Sequence, residues 1–214
     1  MPRTTNHTES EPSQPPTPHR PTHRALIVTD VQPAFCEGGS LAVAGGNEVA
    51  EAIATYARTH RDRYDLVVTT QDWHIDPGEH FAKPPAVPDF VTTWPPHAIA
   101  GTAEAELHPA LAGLHPDARV KKGEYVAAYS GFEGVDGDSR SLRIILATAG
   151  ITDVDVVGLA ESHCVRATAI DALRLGFGAR VLTDLTAPVS AEQGATARAA
   201  MALAGADLVH SGAL

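Results

Sequence analysis

The residue with the clearest chemical potential is Cys164, which follows the apolar segment 154–159 and opens a helix-like stretch. A helix start directs free backbone N–H groups and the positive end of the helix dipole at the sulfur, which favours thiolate over thiol. The same N–H groups can bind an oxyanion. Because a single cysteine is more often a buried structural residue, a nucleophilic role for Cys164 needs support from other residues.

Charged residues at two other predicted strand ends supply that support. Asp30 ends the first strand; Lys121 and Lys122 end the third, and side-chain alternation alone does not decide which lysine points inward. A carboxylate near Cys164 can take the thiol proton as a general base and return it to a leaving group, while a lysine stabilises both anions. Each residue alone also has a structural interpretation, as a turn residue or a solvated charge. Together they predict a catalytic group of Asp30, Lys122 and Cys164.

A second cluster of carboxylate and imidazole groups follows the second predicted strand. Such ligands suit Zn, Mn or Fe, and a set of them on loops leaves coordination positions for water or substrate, as in catalytic metal sites. The spacing alone is weakly specific, but the residues share one aperiodic segment that leaves a strand end. We predict one divalent metal ion (Zn, Fe or Mn) bound by Asp72, His74, His80 and His97. Four histidines outside the cluster are assigned no ligand role: His60, His108, His115 and His210.

Aromatic residues make up only 5% of the chain, and several fall in the same loops. Flat side chains beside a metal suggest a pocket for a planar ring, because aromatic faces stack favourably. A small loop core is the alternative, and we expect it of Trp73, Phe81 and Phe132. The loop aromatics are Phe35, Trp73, Phe81, Trp94, Tyr125, Tyr129 and Phe132.

From residue 25 onward, apolar runs of strand length alternate with longer amphipathic runs. Such alternation is typical of βαβ units, and uninterrupted apolar strands indicate a parallel sheet covered by helices on both faces. We predict an α/β fold, a three-layer doubly wound domain with a six-stranded parallel sheet in the order 3-2-1-4-5-6. The predicted strands are 25–29, 66–70, 119–121, 154–159, 180–183 and a short one near 208; the predicted helices are 47–59, 141–149, 164–175 and 192–204.

This strand order determines where the polar residues meet. In an open parallel sheet the ligand crevice lies at the carboxyl ends of the strands, where the strand order reverses. Asp30 and Cys164 would then face each other across neighbouring strands. The aperiodic segment 72–114, crowded with Pro, His and Trp, is predicted to be a loop of the site rather than a second domain.

Length and composition indicate how the chain is divided into a domain and a tail. A chain of 214 residues is long enough for one sizeable α/β domain, predicted over residues 24–214. Residues 1–23 are rich in Pro, Thr, Ser and His and are predicted to be a disordered tail, with His7, His19 and His23 solvated.

Charge and apolar patterning limit the partners. With 16 Lys and Arg against 26 Asp and Glu, the formal net charge of -10 argues against a nucleic-acid partner. No apolar run approaches the roughly 18 residues of a membrane span. Two distant cysteines and the lack of a secretory segment favour the cytoplasm, while the oligomeric state is left open.

Over roughly residues 25–209 the chain resembles the nicotinamidase/pyrazinamidase branch of the isochorismatase-like hydrolases. Several long blocks in the same order make this likeness specific. The matching stretches are DVQPAFCEGGSLAVAGG from Asp30, DWHIDPGEHF from Asp72, WPPHAIAGT from Trp94, KGEYVAAYSGFEGVD from Lys122 and GLAESHCVRATAIDALRLG from Gly158.

The resemblance implies an amidase of NAD salvage that hydrolyses nicotinamide, and pyrazinamide as well, through a thioester on Cys164. Asp30 would shuttle the proton to the departing ammonia, and Lys122 would support both groups. The metal would hold the pyridine nitrogen directly or through water, so it would orient the ring more than generate hydroxide.

The resemblance also implies roles around the substrate. Phe35 and Trp94 would clamp the ring, with Tyr129 and Ala160 also contacting the substrate. Backbone N–H groups of Ala160 and Cys164 would form the oxyanion hole, and the Leu159–Ala160 peptide would be cis. The chain departs from many relatives at Ser162, where they have Asp, and this change could alter the local geometry or the thiol pKa.

Three alternatives stay open on sequence alone. An amidase of the same superfamily acting on an acyclic carbamoyl or ureido substrate would need Cys164 but not the metal. An isochorismatase proper would not need this cysteine. A non-catalytic metal or ligand sensor could use Cys164 as a redox switch, with Cys36 as its partner.

Overall fold

A computed structural model describes residues 22–214, and they form a six-stranded, wholly parallel sheet in the order β3-β2-β1-β4-β5-β6. The predicted fold class and strand order are therefore confirmed. The predicted disordered tail falls largely on residues 1–21, which lie outside the described residues. The strands are β1 Arg24–Thr29, β2 Leu66–Asp72, β3 Ala118–Lys122, β4 Asp153–Leu159, β5 Gly178–Ala187 and β6 Asp207–Val209.

Helices cover both faces of the sheet. They are α1 Gly46–Thr59, α2 Leu142–Thr148, α3 Arg166–Arg174 and α4 Ala191–Ala204. Side chains alternate along β1, so that Leu26 and Val28 pack in the core beneath α1, whereas Ile27 packs in the core beneath the other three helices. Burial of each such aliphatic side chain contributes about 1.5–3 kcal/mol, which explains why the strand sequences are almost wholly apolar.

The residues at the helix ends explain where the helices begin and stop. The side chain of Ser190 caps α4 by accepting a hydrogen bond from the Gln193 N–H at 3.2 Å. Gly205 ends the same helix with a φ of 101°, a left-handed conformation that glycine adopts without steric cost. Ser141 precedes α2 and offers its side chain to the Ile144 N–H at 3.4 Å.

A buried carboxylate links three strands near their amino-terminal ends. Asp155, on β4, accepts hydrogen bonds from Arg24 Nη1 on β1 at 2.7 Å and from Arg180 Nε on β5 at 2.8 Å. The Tyr64 hydroxyl donates to Asp155 Oδ2 at 2.7 Å, so both carboxylate oxygens are satisfied. The network ties three adjacent strands together at a distance from their carboxyl ends.

Two predicted elements differ from the structure. Strand β5 has 10 residues, longer than the predicted 180–183, because it continues alongside β4 past a register shift. The predicted helix 164–175 is a π-helical turn over Glu161–Val165 followed by α3, which begins at Arg166. The segment between β2 and β3 contains short 3-10 turns and isolated bridges, as expected of a site loop. Across residues 22–214, the helices are all too short or too polar to cross a membrane.

Candidate active site

The carboxyl ends of four neighbouring strands bring the predicted catalytic residues together. Asp30 directly follows β1, is completely buried and adopts a φ of 48°, a left-handed conformation that Asp tolerates better than most residues. The Thr70 hydroxyl on β2 donates to Asp30 Oδ1 at 2.6 Å and fixes the carboxylate. Cys164 lies beyond the end of β4, and its Sγ is within 4.8 Å of one carboxylate oxygen each of Asp30 and Asp72.

Lys122 joins these groups. Its side chain is completely buried, and Nζ lies 3.0 Å from Asp30 Oδ2 and 3.7 Å from Cys164 Sγ. It also forms an ion pair with Asp72, which is opposite it in the β2–β3 register, and donates to the Ala128 carbonyl at 3.1 Å. A single cation therefore contacts both carboxylates and the thiol.

The adjacent lysine points elsewhere. Lys121 Nζ lies 3.2 Å from the ring centroid of Trp73, a cation–π contact away from the thiol. Successive side chains of a strand point to opposite faces, so only one of the two lysines can enter the site. The structure places Lys122 there, in agreement with the sequence preference.

Burial and charge set the protonation states. Burial raises the pKa of the Cys164 thiol well above its usual value, although the Lys122 cation opposes the shift. This direction is opposite to the lowering of the thiol pKa that a helix start was expected to produce. Burial also raises the pKa of Asp30, whereas Lys122 overcomes the burial of Asp72 and keeps the pKa of that carboxyl low. The two carboxylates raise the pKa of Lys122 despite its burial, so it stays cationic.

One oxygen of Asp30 is available to accept a proton. Within the described part of the chain, Asp30 Oδ2 is buried and accepts no well-directed hydrogen bond, although Lys122 Nζ is 3.0 Å away. Oδ1 is already bonded to Thr70. A carboxylate oxygen of this kind beside a buried thiol is suited to act as the general base.

Three histidines form a second group beside the first. Nitrogens of His74, His80 and His97 lie within 4.8 Å of one another, and all three side chains are buried. Asp72 Oδ2 lies 3.7 Å from His74 Nε2 and 4.0 Å from His97 Nε2, while Oδ1 of the same carboxylate faces Lys122. Asp72 is therefore shared between the histidines and Lys122.

The hydrogen bonds of the histidines fit a divalent metal ion. His74 Nδ1 lies 2.6 Å from the Gly123 carbonyl, and His97 Nδ1 lies 2.7 Å from the Pro95 carbonyl, which orients both rings. Among residues 22–214, His74 Nε2 and His80 Nδ1 are buried with no hydrogen-bond partner. Burial lowers the pKa of His80 to about 4 and also lowers the pKa of His97, so both rings are neutral, as ligands must be.

Gly123 is required for this arrangement. Its φ is +78°, and a Cβ built on it would lie 2.6 Å from His74 Cε1. A side chain at this position would collide with the ring that the Gly123 carbonyl orients.

A cavity opens directly onto Cys164. Trp94 Nε1 donates to the Tyr129 hydroxyl at 2.9 Å, and these two aromatic residues form part of its wall. Phe35 packs edge-on against His97, with ring centroids 5.6 Å apart. The cavity is lined by Phe35, Leu41, Val43, Asp72, His80, Trp94, His97, Ala128, Tyr129, Ala160, His163, Cys164 and Val189.

The other loop aromatics divide as follows. Phe81 packs on all three histidines, with centroid distances of 5.1, 5.8 and 5.3 Å, and Phe132 stacks on Phe177 at 6.0 Å. Trp73 packs against the core beneath α1, so these three aromatics are packing residues, as expected. Tyr125 is 66% exposed and is not part of the cavity wall.

The turn that carries Cys164 is held from both ends. The Leu159–Ala160 peptide is cis, as the resemblance implied. Glu161, completely buried, accepts hydrogen bonds from Arg198 Nε at 2.5 Å and Arg198 Nη2 at 2.9 Å, which ties the turn to α4. Ser162 Oγ accepts a hydrogen bond from the Val189 N–H at 3.2 Å and lies 3.0 Å from His163 Nδ1.

Sequence reasoning missed five lining residues. His163 directly precedes Cys164, but this adjacency does not by itself place its ring at the cavity. Leu41, Val43, Ala128 and Val189 carry no chemical signal, and only the fold brings them to the cavity.

The strand order and the buried thiol, carboxylate and amine at the point of strand reversal define the class, a doubly wound α/β domain with a thiol site. A model of the isochorismatase domain family matches residues 24–212, and the chain belongs to this family. The chain is 50% identical over 188 residues to the nicotinamidase/pyrazinamidase of Mycobacterium tuberculosis, with 88% of this chain and 99% of that protein covered.

Solved structures of nicotinamidases and pyrazinamidases share this fold. PnC1 from L. infantum in complex with nicotinate superposes with a TM-score of 0.76 and 34% identity, covering 90% of this chain and 95% of that one. The pyrazinamidase of Pyrococcus horikoshii in complex with zinc superposes with a TM-score of 0.74 and 34% identity, covering 88% of this chain and 99% of that one.

Proposed function

We propose that the chain is a nicotinamidase that hydrolyses nicotinamide to nicotinate and ammonia, and pyrazinamide to pyrazinoate, in NAD salvage. The observation that carries the proposal is the position of Lys122 Nζ, in contact with Asp30, Asp72 and Cys164 beside three inward-facing histidines. The relatives named above act on, or were solved with, molecules of this class.

Acylation begins with the thiol. Asp30 Oδ2 takes the proton of Cys164, and the sulfur attacks the carboxamide carbon, which forms a C–S bond and a tetrahedral oxyanion. Lys122 stabilises the thiolate during the transfer. Asp30 then returns the proton to the amide nitrogen, the C–N bond breaks, and ammonia leaves a thioester on Cys164.

Deacylation uses the same residues. Asp30 takes a proton from a water molecule, whose oxygen attacks the thioester carbon. The C–S bond breaks, the proton passes to the sulfur, and the acid product leaves. Ala160 and Cys164 both line the cavity. Their backbone N–H groups bind the oxyanion in each step and contribute on the order of 10²–10³ in rate per donor.

Asp72, His74, His80 and His97 would hold a divalent ion, Zn, Fe or Mn. When bound, this ion supplies a Lewis acid that orients the ring nitrogen of the substrate, directly or through water. The unpartnered nitrogens of His74 and His80 support this assignment. Phe35, Trp94 and Tyr129 would enclose the ring.

The histidine cluster and the Asp30–Lys122 pair argue against two alternative functions. An amidase for acyclic carbamoyl substrates has no ring to orient and no use for these residues. A redox sensor leaves Asp30 and Lys122 without a role. The absence of nucleic-acid and membrane partners and the cytoplasmic location stay predictions from the sequence.

Ammonia release from nicotinamide tests the proposal. Cys164→Ala should lower kcat on the order of 10³-fold or more, since the nucleophile is lost. Cys36→Ala is the matched control, because Cys36 is the other buried free cysteine and should be dispensable. His74→Ala and chelation should each abolish most turnover, and added metal should restore only the chelated wild type. Substantial turnover by Cys164→Ala would overturn the proposal.

A further inference from the structure

Ser162 lies in the nucleophile-bearing turn and is only 2% exposed. We propose that Ser162 is a positioning residue that holds the His163 ring, in the tautomer protonated at Nε2, as one wall of the substrate pocket. This inference rests on the proposed function, because its kinetic consequence concerns the amide substrate. It deepens that proposal by adding two residues that are neither in the catalytic group nor in the metal site.

The hydrogen bonds of Ser162 determine the tautomer. Its oxygen accepts the Val189 N–H at 3.2 Å and lies 3.0 Å from His163 Nδ1. If Nδ1 carried a proton, the hydroxyl would have to accept from both groups, and its own proton would have no acceptor among the described residues. Buried donors are almost always satisfied, so the hydroxyl donates to Nδ1 and the imidazole proton is on Nε2.

The surroundings keep the ring neutral. Burial lowers the pKa of His163, and the nearby Arg166 guanidinium lowers it further. The other charged group on the same surface depression is Glu192, at the start of α4. Aromatic rings enclose the rest, since Trp94 meets His163 edge-on at 5.2 Å and Tyr129 lies 6.0 Å away.

The His163 side chain lies between the cavity at Cys164 and the protein surface. It lines the cavity at Cys164 and also two depressions on the outer surface, one with Ser190 and Thr196, the other with Phe90 and Val91. A ring that turned freely would leave the pocket less well formed before substrate binds. Holding the ring in advance removes that ordering cost from binding, so the effect belongs mainly in KM.

Two readouts test the proposal. The ¹⁵N shifts of His163 at pH 7.5, assigned with His163→Phe, report the tautomer without any substrate. In Ser162→Ala we expect loss of the pure Nε2–H form, a KM for nicotinamide raised about fivefold, as loss of one hydrogen bond allows, and kcat within about twofold of wild type. Ser162→Thr keeps the hydroxyl and should retain the tautomer and most of the affinity.

Ser162→Asp should favour the opposite tautomer of His163. Its carboxylate accepts but does not donate, so His163 should be protonated at Nδ1, with a raised pKa that Arg166 limits and Glu192 assists. The matched control is Ser190→Ala, which removes the hydroxyl that caps α4 next to Val189; among residues 22–214 this hydroxyl makes no hydrogen bond to His163. It should leave the His163 spectrum and KM unchanged.

The outcomes are distinct. An unchanged tautomer in Ser162→Ala, an unchanged KM, or an equal rise of KM in Ser190→Ala would overturn the positioning role. Ser162→Ala in a His163→Ala background should raise KM no further, and an additional rise would also contradict it. A wild-type protein without amidase activity would overturn the proposed function instead, and the ¹⁵N spectra would still decide whether Ser162 fixes the ring.

Discussion

Lys122 Nζ and Asp30 Oδ2 are 3.0 Å apart, and both side chains are completely buried. The pair has no solvent to stabilise either charge, so each residue depends on the other and on Asp72. We therefore expect Lys122→Gln to lower kcat on the order of 100-fold or more and the free energy of unfolding by about 3–5 kcal/mol, since two buried carboxylates lose their cation.

Lys121→Gln is the matched control for this prediction. It removes the neighbouring lysine of the same strand, which packs on Trp73, and should change kcat little. Steady-state kinetics and denaturant unfolding check both variants. Equal losses of kcat in the two variants would contradict a specific role for Lys122.

Gly123→Ala should weaken metal binding. The new methyl group would lie 2.6 Å from His74 Cε1, and the φ of +78° is unfavourable for alanine. Displacement of an oriented ligand costs roughly 10- to 100-fold in metal affinity. Metal titration of the metal-free protein measures the effect. Gly137→Ala, where a Cβ meets open space at an ordinary φ, should bind metal as the wild type does.

Asp155→Asn should affect stability and leave the chemistry intact. The variant leaves Arg24 and Arg180 without their buried carboxylate, so the free energy of unfolding should fall by about 3–5 kcal/mol. Asp153→Asn should cost no more than about 1 kcal/mol, because this side chain is 24% exposed and its ion pair within residues 22–214 is with Arg24 alone. The kcat of folded Asp155→Asn should equal that of wild type; a large loss of kcat would show that the two ends of the sheet are coupled.

Cys36 should make stability fall at alkaline pH. Burial, with a smaller effect of Glu37, raises its pKa from 9.0 to about 11 in the folded protein. Its stabilising contribution is therefore complete below pH 9, where both states hold the proton, and is lost as pH rises from 9 to about 11, because only the unfolded chain ionises. The difference in unfolding free energy between wild type and Cys36→Ala, measured against pH, should decline over that interval. A difference independent of pH would contradict the prediction.

The sequence predicted the sheet order because buried parallel strands are continuous apolar runs, and the topology then placed Asp30, Lys122 and the Cys164 turn at one edge. It did not predict the π-helical turn, which packs against β5 and α4, because local periodicity contains no information on these contacts. The direction of the shift in the thiol pKa was also missed, since the degree of burial depends on the whole fold. His163 escaped because one histidine among 11 carries no signal until its neighbours are known.

The contact between Glu161 and Arg198 has a consequence for the evolution of the chain. Arg198 is 45% exposed on α4, yet its partner is a completely buried residue three positions before Cys164. A substitution on the outside of a peripheral helix can therefore alter the placement of the sulfur without changing any residue that meets the substrate. Variation in catalytic rate among chains with identical pockets should be sought on α4 as well as in the pocket itself.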